Sequence, residues 1–227
     1  MEGSCPTCIG KIAVMGYNPS TMTTEIELKF RLDESTAQEL LRHTALGEFL
    51  IGAFTSQDVT DRYFDTSDRA LARAGYALRF RRKGDKTELQ LKSLTPASGP
   101  WHARRELRIP TDTPTDAERW PDIPATAYLR KLIKNQPLQP LFTIHQIRHE
   151  APVLEASGGP FALLSLDEVR WVAGEREARA WELEAELLPD GDEAVLRALQ
   201  QALAALPGLH PQAESKYERG LKLLSEE

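Results

Sequence analysis

Several segments of this chain alternate strictly between charged and apolar residues, and this alternation constrains the fold more than any other feature. The clearest segment runs from Thr24 to Leu32 and has the sequence TEIELKFRL. Side chains two residues apart in a β-strand project to the same face of the strand. The segment therefore predicts a strand that has one charged face and one apolar face.

The same strand pattern recurs along the chain, with few helical segments in between. Eight segments carry it: residues 24–32, 57–64, 76–83, 87–94, 103–109, 142–150, 163–172 and 180–188. Helices are predicted from Asp33 or Ser35 through Ala45, near Leu71, near Leu129 to Ile133, over 194–206 and over 213–224. This order favours an antiparallel barrel over a parallel α/β sheet. We therefore predict a mainly β (α+β) fold, an eight-stranded antiparallel β-barrel tunnel with helices packed outside.

The strand charges form rows that face either water or the interior of the barrel. The rows are Glu25, Glu27 and Lys29; Arg79, Arg81 and Lys83; Glu88, Gln90 and Lys92; Arg104, Glu106 and Arg108; and Glu182, Glu184 and Glu186. On an outer face they would form cross-strand ion pairs, each worth about 0.2–1 kcal/mol. The alternate residues are mostly apolar, however, and helices around Leu40, Leu132 and Leu199 can cover them from outside. We therefore predict that the charged rows line the interior.

An interior that carries both carboxylates and bases suits a metal ion together with phosphate groups. Three or four carboxylates provide the oxygen-only site that Mg²⁺ or Mn²⁺ prefers. About six Lys and Arg side chains would neutralise a chain of phosphates, with Arg offering bidentate contacts. The sequence contains no P-loop, which excludes a Walker-type nucleotide site. The pattern thus indicates phosphoanhydride chemistry, and we expect repulsion between the bases to strain the empty cavity.

Composition excludes several other classes of protein. The chain has 227 residues, of which 41% are hydrophobic, which fits one globular domain. The sequence contains no run of eighteen apolar residues, so it predicts no transmembrane helix. The formal charge of −6 argues against a general nucleic-acid surface. We predict a cytoplasmic protein with no nucleic-acid or membrane partner, and a homodimer is left open.

The first 21 residues lack hydrophobic periodicity, and Met22 stands directly before the first patterned segment. We predict a flexible N-terminal extension over residues 1–21 and one domain over residues 22–227. Cys5 and Cys8 lie in this extension and have thiol-redox spacing, but that motif requires a preceding strand and a following helix. They also form half of a metal site, without a second Cys or His pair to complete it. Both cysteines fit a reducing cytoplasm.

Seven short motifs follow one another along the predicted strands and the last predicted helix. They are EIELK at 25–29, YFDT at 63–66, LRFR at 78–81, LQLK at 89–92, RRE at 104–106, WELE at 181–184 and SK at 215–216. Their order and spacing resemble those of CYTH domains, the triphosphate tunnel metalloenzymes. Residues 140–148 and the SKYERG segment at 215–220 resemble the bacterial inorganic triphosphatase branch in particular. The resemblance covers about residues 23–224.

The resemblance implies an eight-stranded antiparallel tunnel that binds a linear triphosphate and a divalent metal ion. At the matching positions it implies metal ligands at Glu25, Glu27, Glu182 and Glu184. It implies phosphate-binding bases at Lys29, Arg79, Arg81, Lys92, Arg104, Arg148 and Lys216. The residues that it implicates in catalysis are Glu25, Glu27, Lys29 and Glu182.

Three functions fit these motifs. The first is hydrolysis of inorganic triphosphate to pyrophosphate and phosphate, with Mg²⁺ or Mn²⁺ as the cofactor. The second is another triphosphate-acting CYTH enzyme, either a class IV adenylate cyclase, a thiamine triphosphatase or a nucleoside triphosphatase, and the shared tunnel motifs do not separate these from the first. The third is a non-catalytic module that binds polyphosphate. Such a module would tolerate loss of the metal-binding carboxylates, and because this sequence retains them, catalysis is favoured.

Overall fold

The computed structural model describes residues 22–155 and 158–225, and the predicted N-terminal extension with Cys5 and Cys8 lies outside these residues. The strands are β1 (Thr23–Leu32), β2 (Ala45–Leu46), β3 (Phe49–Ile51), β4 (Thr55–Asp65), β5 (Tyr76–Lys83), β6 (Lys86–Ser93), β7 (Trp101–Pro110), β8 (Gln139–Leu154), β9 (Pro160–Ala173), β10 (Arg176–Leu187) and β11 (His210–Pro211). The α-helices are α1 (Glu34–Leu40), α2 (Ala70–Arg73), α3 (Pro124–Ile133), α4 (Glu193–Ala204) and α5 (Lys216–Ser225). None of these helices is long and apolar enough to cross a membrane.

Eight of the described strands form a closed antiparallel barrel. Their order is β4-β5-β6-β7-β1-β10-β9-β8, and β8 pairs back to β4. These are the eight strands that the alternation predicts, so the predicted mainly β barrel is confirmed. The short strands β2 and β3 extend the sheet beyond β8, and β11 pairs with β1. These three were not predicted because two or three residues are too few to show alternation.

Two predicted helices have different bounds in the structure. The prediction that α1 runs through Ala45 is wrong, because α1 ends at Leu40 and Ala45 pairs with Leu50 in the β2–β3 hairpin. The predicted cap of α1 is confirmed, since the Asp33 carboxylate accepts a hydrogen bond from the Thr36 amide at 2.8 Å. The last helix begins at residue 216 and not at residue 213. A reciprocal capping box between residues 215 and 218 fixes this start.

The helices cover the outer, apolar faces of the barrel strands, as predicted. Helices α1 and α4 pack on β1, β9 and β10 through a cluster that includes Leu40, Leu199, Leu28 and Leu183. Helix α3 packs on β5, β6 and β7 through a second cluster that includes Leu129 and Ile133. Because the apolar faces are buried outside the barrel wall, the charged faces of the same strands must face inward.

The interior itself has two parts. Charged side chains fill one part, which we call the charged cavity. Aromatic and aliphatic side chains fill the other, which we call the apolar end: Tyr63, Ala77, Phe142, Ile144, Val169, Trp171, Ala173 and Tyr217. The last of these lies on α5, whose first turn is buried against the barrel. The predicted interior is therefore charged over only part of its length, because α5 packs against the apolar end.

Candidate active site

The walls of the charged cavity carry eight bases and four carboxylates from the described residues. The bases are Lys29, Arg79, Arg81, Lys92, Arg104, Arg108, Arg148 and Lys216, and the carboxylates are Glu25, Glu27, Glu184 and Glu186. All seven bases that the family resemblance selects line this one cavity, and Arg108 joins them. If all twelve groups are ionised, the lining has an excess of four positive charges, which suits a polyanionic ligand.

These side chains meet because alternate positions on neighbouring strands project to the same face. Lys29 on β1 and Lys216 at the start of α5 are each only 4% exposed, and Arg79 on β5 is 9% exposed. Charged groups are rarely buried to this extent unless they are paired. The prediction that the charged rows line the interior is therefore confirmed, and a solvated outer face is excluded for these rows.

The cavity acids and bases neutralise one another in the structure. The Lys92 ammonium donates to both oxygens of Glu25, at 2.7 and 2.5 Å. Glu27 accepts from Arg104 and lies 3.2 Å from the Lys29 ammonium. The expectation that repulsion between bases strains the empty cavity is therefore wrong, because each of these bases has a carboxylate partner.

Glu184 is the most heavily paired carboxylate of the cavity. It accepts from Lys29 at 2.6 Å, from Arg148 at 2.8 Å and from Lys216 at 2.8 Å. Burial raises the pKa of Glu184, but the charges of Lys216, Lys29 and Arg148 outweigh burial and hold that pKa well below its usual range. Glu184 is therefore ionised at neutral pH, and its three cationic partners connect it to β1, β8 and α5.

Glu186 has a raised pKa, although the positive charges of Lys92 and Arg108 act on this carboxylate. Burial, and next the charge of Glu25, raise the pKa of Glu186 to about 7. The family resemblance did not select Glu186. The sequence does carry a usable indication of it, since Glu186 continues the acidic row of Glu182 and Glu184 on β10.

Glu182 does not line the cavity, although the resemblance implies roles for it in metal binding and catalysis. Its side chain is fully buried, accepts from Arg219 and lies 3.0 Å from the Lys216 ammonium. The Arg219 guanidinium in turn lies over the Trp171 ring at 4.2 Å from its centroid. A metal-binding role for Glu182 would require its release from both cations.

A second set of buried carboxylates lies behind the cavity bases, and of these only Glu106 belongs to a charged row that the sequence predicts. Asp167 on β9 forms a bidentate pair with Arg148, at 2.7 and 2.6 Å, and accepts from Lys216 at 2.9 Å. Asp61 on β4 and Glu106 on β7 are also buried and paired with bases. Asp61 and Asp167 have no charged residue two positions away on either side, so no charged row in the sequence marks them.

The cavity carboxylates fit a hard divalent cation by their chemistry. No three Asp, Glu, His or Cys side chains among residues 22–155 and 158–225 are already arranged as a metal site. The four cavity carboxylates nevertheless supply only oxygen ligands, which Mg²⁺ and Mn²⁺ prefer. Burial and the neighbouring charges of Glu25, Glu27 and Glu106 raise the pKa of Glu186. A divalent ion bound beside Glu186 would offset the local repulsion among these carboxylates.

Comparison with known proteins agrees with this architecture. A candidate adenylyl cyclase from Hippeastrum, with a dominant triphosphatase activity, is 24% identical with a TM-score of 0.62, over 87% of this chain and 95% of that chain. A candidate adenylate cyclase from Bacillus halodurans is 22% identical (TM-score 0.59; 86% and 96% covered), and a Pyrococcus horikoshii protein is 20% identical (TM-score 0.55; 87% and 98%). The CYTH domain model matches residues 23–221. The chain therefore belongs to the CYTH domain family.

Proposed function

We propose that this protein hydrolyses inorganic triphosphate to pyrophosphate and phosphate in the charged cavity, with Mg²⁺ or Mn²⁺ as the cofactor. The observation that carries the proposal is the lining, where eight bases and four carboxylates face one interior space. An interior of this kind combines the two requirements of phosphoanhydride hydrolysis, which are neutralisation of phosphate charge and an oxygen-ligand site for a divalent ion.

Binding would proceed by an exchange of ionic partners. In the ligand-free protein, Lys92 is bound to Glu25, and Lys29 and Arg104 are bound to Glu27. The phosphate oxygens of the substrate would take the bases, and the released carboxylates would then be free to ligate the cation. Because each ligand frees the groups that the other needs, triphosphate and cation should each raise the affinity for the other.

Each set of residues has a defined part in this proposal. The seven bases that the resemblance selects, from Lys29 to Lys216, would hold the phosphate oxygens, and Arg108 would add an eighth positive charge. Glu25, Glu27, Glu184 and Glu186 would hold the cation, which supplies charge neutralisation and a more acidic bound water. A carboxylate, Glu25 in our proposal, would accept a proton from the water that attacks the terminal phosphorus. The bond from that phosphorus to the bridging oxygen then breaks, and pyrophosphate leaves.

Phosphate release from purified protein tests the proposal. Triphosphate, ATP and thiamine triphosphate would each be assayed with Mg²⁺ and with Mn²⁺, and cyclic AMP would be measured in the ATP arm. We expect the highest kcat/KM for inorganic triphosphate and no turnover when the divalent ion is chelated. Preference for ATP or thiamine triphosphate would replace the proposed substrate with one of its alternatives. Tight binding of triphosphate without turnover in either metal would instead indicate a binding module.

Two further parts of the proposal come from the sequence. We propose that the protein acts in the cytoplasm, on a small triphosphate compound rather than on nucleic acid or at a membrane. We also propose that residues 22–227 form the functional domain and that residues 1–21 are an extension outside it.

A further inference from the structure

Asp61 is a buried carboxylate that touches two of the phosphate-binding arginines of the proposed site. It lies on β4, directly opposite Arg81 on β5, and is 0% exposed. It does not line the charged cavity, so it cannot contact a ligand there without rearrangement. Its position behind the arginines raises the question of what a fully desolvated carboxylate does at this point of the barrel.

The contacts of Asp61 fix the orientation of both arginines. Arg81 donates through Nε to Oδ1 and through Nη2 to Oδ2, both at 2.7 Å, which is bidentate geometry. Arg79 donates through Nη1 to Oδ2 at 3.3 Å, and Gln146 donates to the same oxygen at 3.0 Å. The Nε of Arg79 is held separately by Gln90 at 2.7 Å. Hydrogen bonds to Asp61 and Gln90 therefore constrain both guanidinium planes.

The remaining donors of the two arginines are the ones that a ligand would use. Nη1 of Arg81 and Nη2 of Arg79 have no hydrogen-bond partner among the described residues, and both arginines line the cavity. A guanidinium has five N–H donors in a fixed planar arrangement. Binding one edge to Asp61 therefore determines where the opposite edge points. The orientation that results presents unused donors to the cavity.

The charge of Asp61 matters as well as its shape. Arg79 and Arg81 are two residues apart on one strand face, so their like charges are neighbours. Burial raises the pKa of Asp61, but the charges of Arg79 and Arg81 outweigh burial and keep that carboxylate ionised. Asp61 therefore offsets the repulsion between two cations that must remain close together before any phosphate is bound.

We propose that Asp61 is a positioning residue for triphosphate, which holds Arg79 and Arg81 with their free N–H edges turned toward the bound phosphates. This inference rests on the proposed function of the cavity and deepens it. Asp61 would touch neither the substrate nor the cation, and it would act only through the two arginines. It predicts that loss of the Asp61 charge weakens phosphate binding although all eight cavity bases are still present.

The test compares Asp61→Asn with Asp58→Asn, a matched substitution of an exposed aspartate on the same strand. The affinity for inorganic triphosphate would be measured by titration calorimetry in EDTA, so that turnover does not interfere, and circular dichroism would verify the fold. We expect Asp61→Asn to weaken binding about tenfold or more, since the two arginines make charge-assisted contacts. Asp58→Asn should stay within about twofold of the wild type, as expected of a surface substitution.

A double-mutant cycle separates positioning from a purely structural role. In an Arg81→Ala background, Asp61→Asn should cost clearly less affinity than it does in the wild type, because the bidentate partner is already gone. An equal cost in both backgrounds, or wild-type affinity in folded Asp61→Asn, would overturn the inference and leave the proposed function intact. A wild-type protein that binds no triphosphate, either in EDTA or with Mg²⁺ or Mn²⁺ present, would overturn the proposed function, and this inference with it.

A crystal structure of the wild-type protein with triphosphate would give a second test, which does not depend on the folding of a variant. We expect Asp61 still to be bidentate on Arg81, with Nη1 of Arg81 and Nη2 of Arg79 on phosphate oxygens. The inference is wrong if the Arg81 guanidinium has left Asp61 to reach the ligand, because Asp61 would then compete with phosphate rather than prepare the site.

Discussion

The charged and apolar parts of the barrel interior meet on the inward faces of some of the same strands. On β4, Asp61 pairs with the arginines behind the charged cavity, and Tyr63, two residues further, belongs to the apolar end. On β9, Asp167 pairs with bases, whereas Trp171 on the same face packs in the apolar end. On these two strands, the change from charged to apolar therefore runs along the strand.

The apolar end explains how α5 contributes to the charged cavity. Tyr217 packs against Tyr63 and Phe142, with ring centroids 5.4 and 6.1 Å apart. The Trp171 indole donates to the carbonyl oxygen of Lys216 at 2.9 Å. Burial of an aromatic side chain contributes about 1.5–3 kcal/mol, which helps to offset the cost of burying the Lys216 ammonium. One part of the interior thus anchors the helix, and the other part receives its lysine.

The largest effect that we predict is in the charged cavity. Glu25→Gln and Glu27→Gln should each lower kcat/KM for triphosphate by on the order of a hundredfold or more, because each removes a charged oxygen ligand from the proposed cation site. Melting temperature and circular dichroism would show that the fold is retained. The exposed Glu48→Gln is the control. Wild-type activity in both cavity variants at saturating Mg²⁺ would contradict the site assignment.

A substitution at the apolar end should act first on stability. The Cβ of Gly220→Ala would lie 2.2 Å from Phe142 Cε2, so that α5 or the ring must shift. We expect a loss of about 1–3 kcal/mol in the free energy of unfolding, as for other overpacked interiors, measured by urea denaturation. Activity should fall too, because α5 carries Lys216. Gly159→Ala, with no atom within 4 Å of the added Cβ, is the control, and equal stability of the two variants would refute the packing argument.

Glu186 gives a smaller effect that depends on pH. Burial and nearby acids raise its pKa to about 7 from the ordinary value of 4.5, so it stabilises the fold fully only below its unfolded pKa and loses that contribution as the pH rises through about 7. Without metal, Glu186→Gln should therefore be more stable than the wild type at pH 8 by more than about 1 kcal/mol, the free energy that corresponds to one pKa unit. The difference should disappear toward pH 4.5. Unfolding curves at both pH values test this, with exposed Glu177→Gln on the same strand as the control.

The smallest expected effect concerns the N-terminal extension. In our interpretation, neither the charged cavity nor the apolar end requires this extension. Deletion of residues 1–21 should leave the melting temperature and kcat/KM for triphosphate unchanged within error. The family match begins at residue 23. A fall of many degrees on truncation would show that the segment is part of the folded domain.

Much of the site was predictable because strand alternation is a local property. A period of two assigns every side chain of a strand to one of two faces. Once the apolar faces were assigned to the helices outside, Lys29, Arg79 and Lys92 had to point inward, as the structure confirms. Helix bounds were less certain, because apolar spacing across Leu41 and Ala45 is compatible with a helix, and only the pairing of Ala45 with Leu50 excludes it.

Strand alternation in the sequence assigns the charged rows to the interior and brings both charge signs together there. It did not determine how deep each residue lies along the barrel. Glu182, Glu184 and Glu186 share one face of β10, yet Glu184 and Glu186 line the cavity while Glu182 is bound by Arg219 and Lys216. Depth depends on strand tilt and stagger in the closed barrel and on the docking of α5. These are long-range properties, and only the tertiary structure decided them.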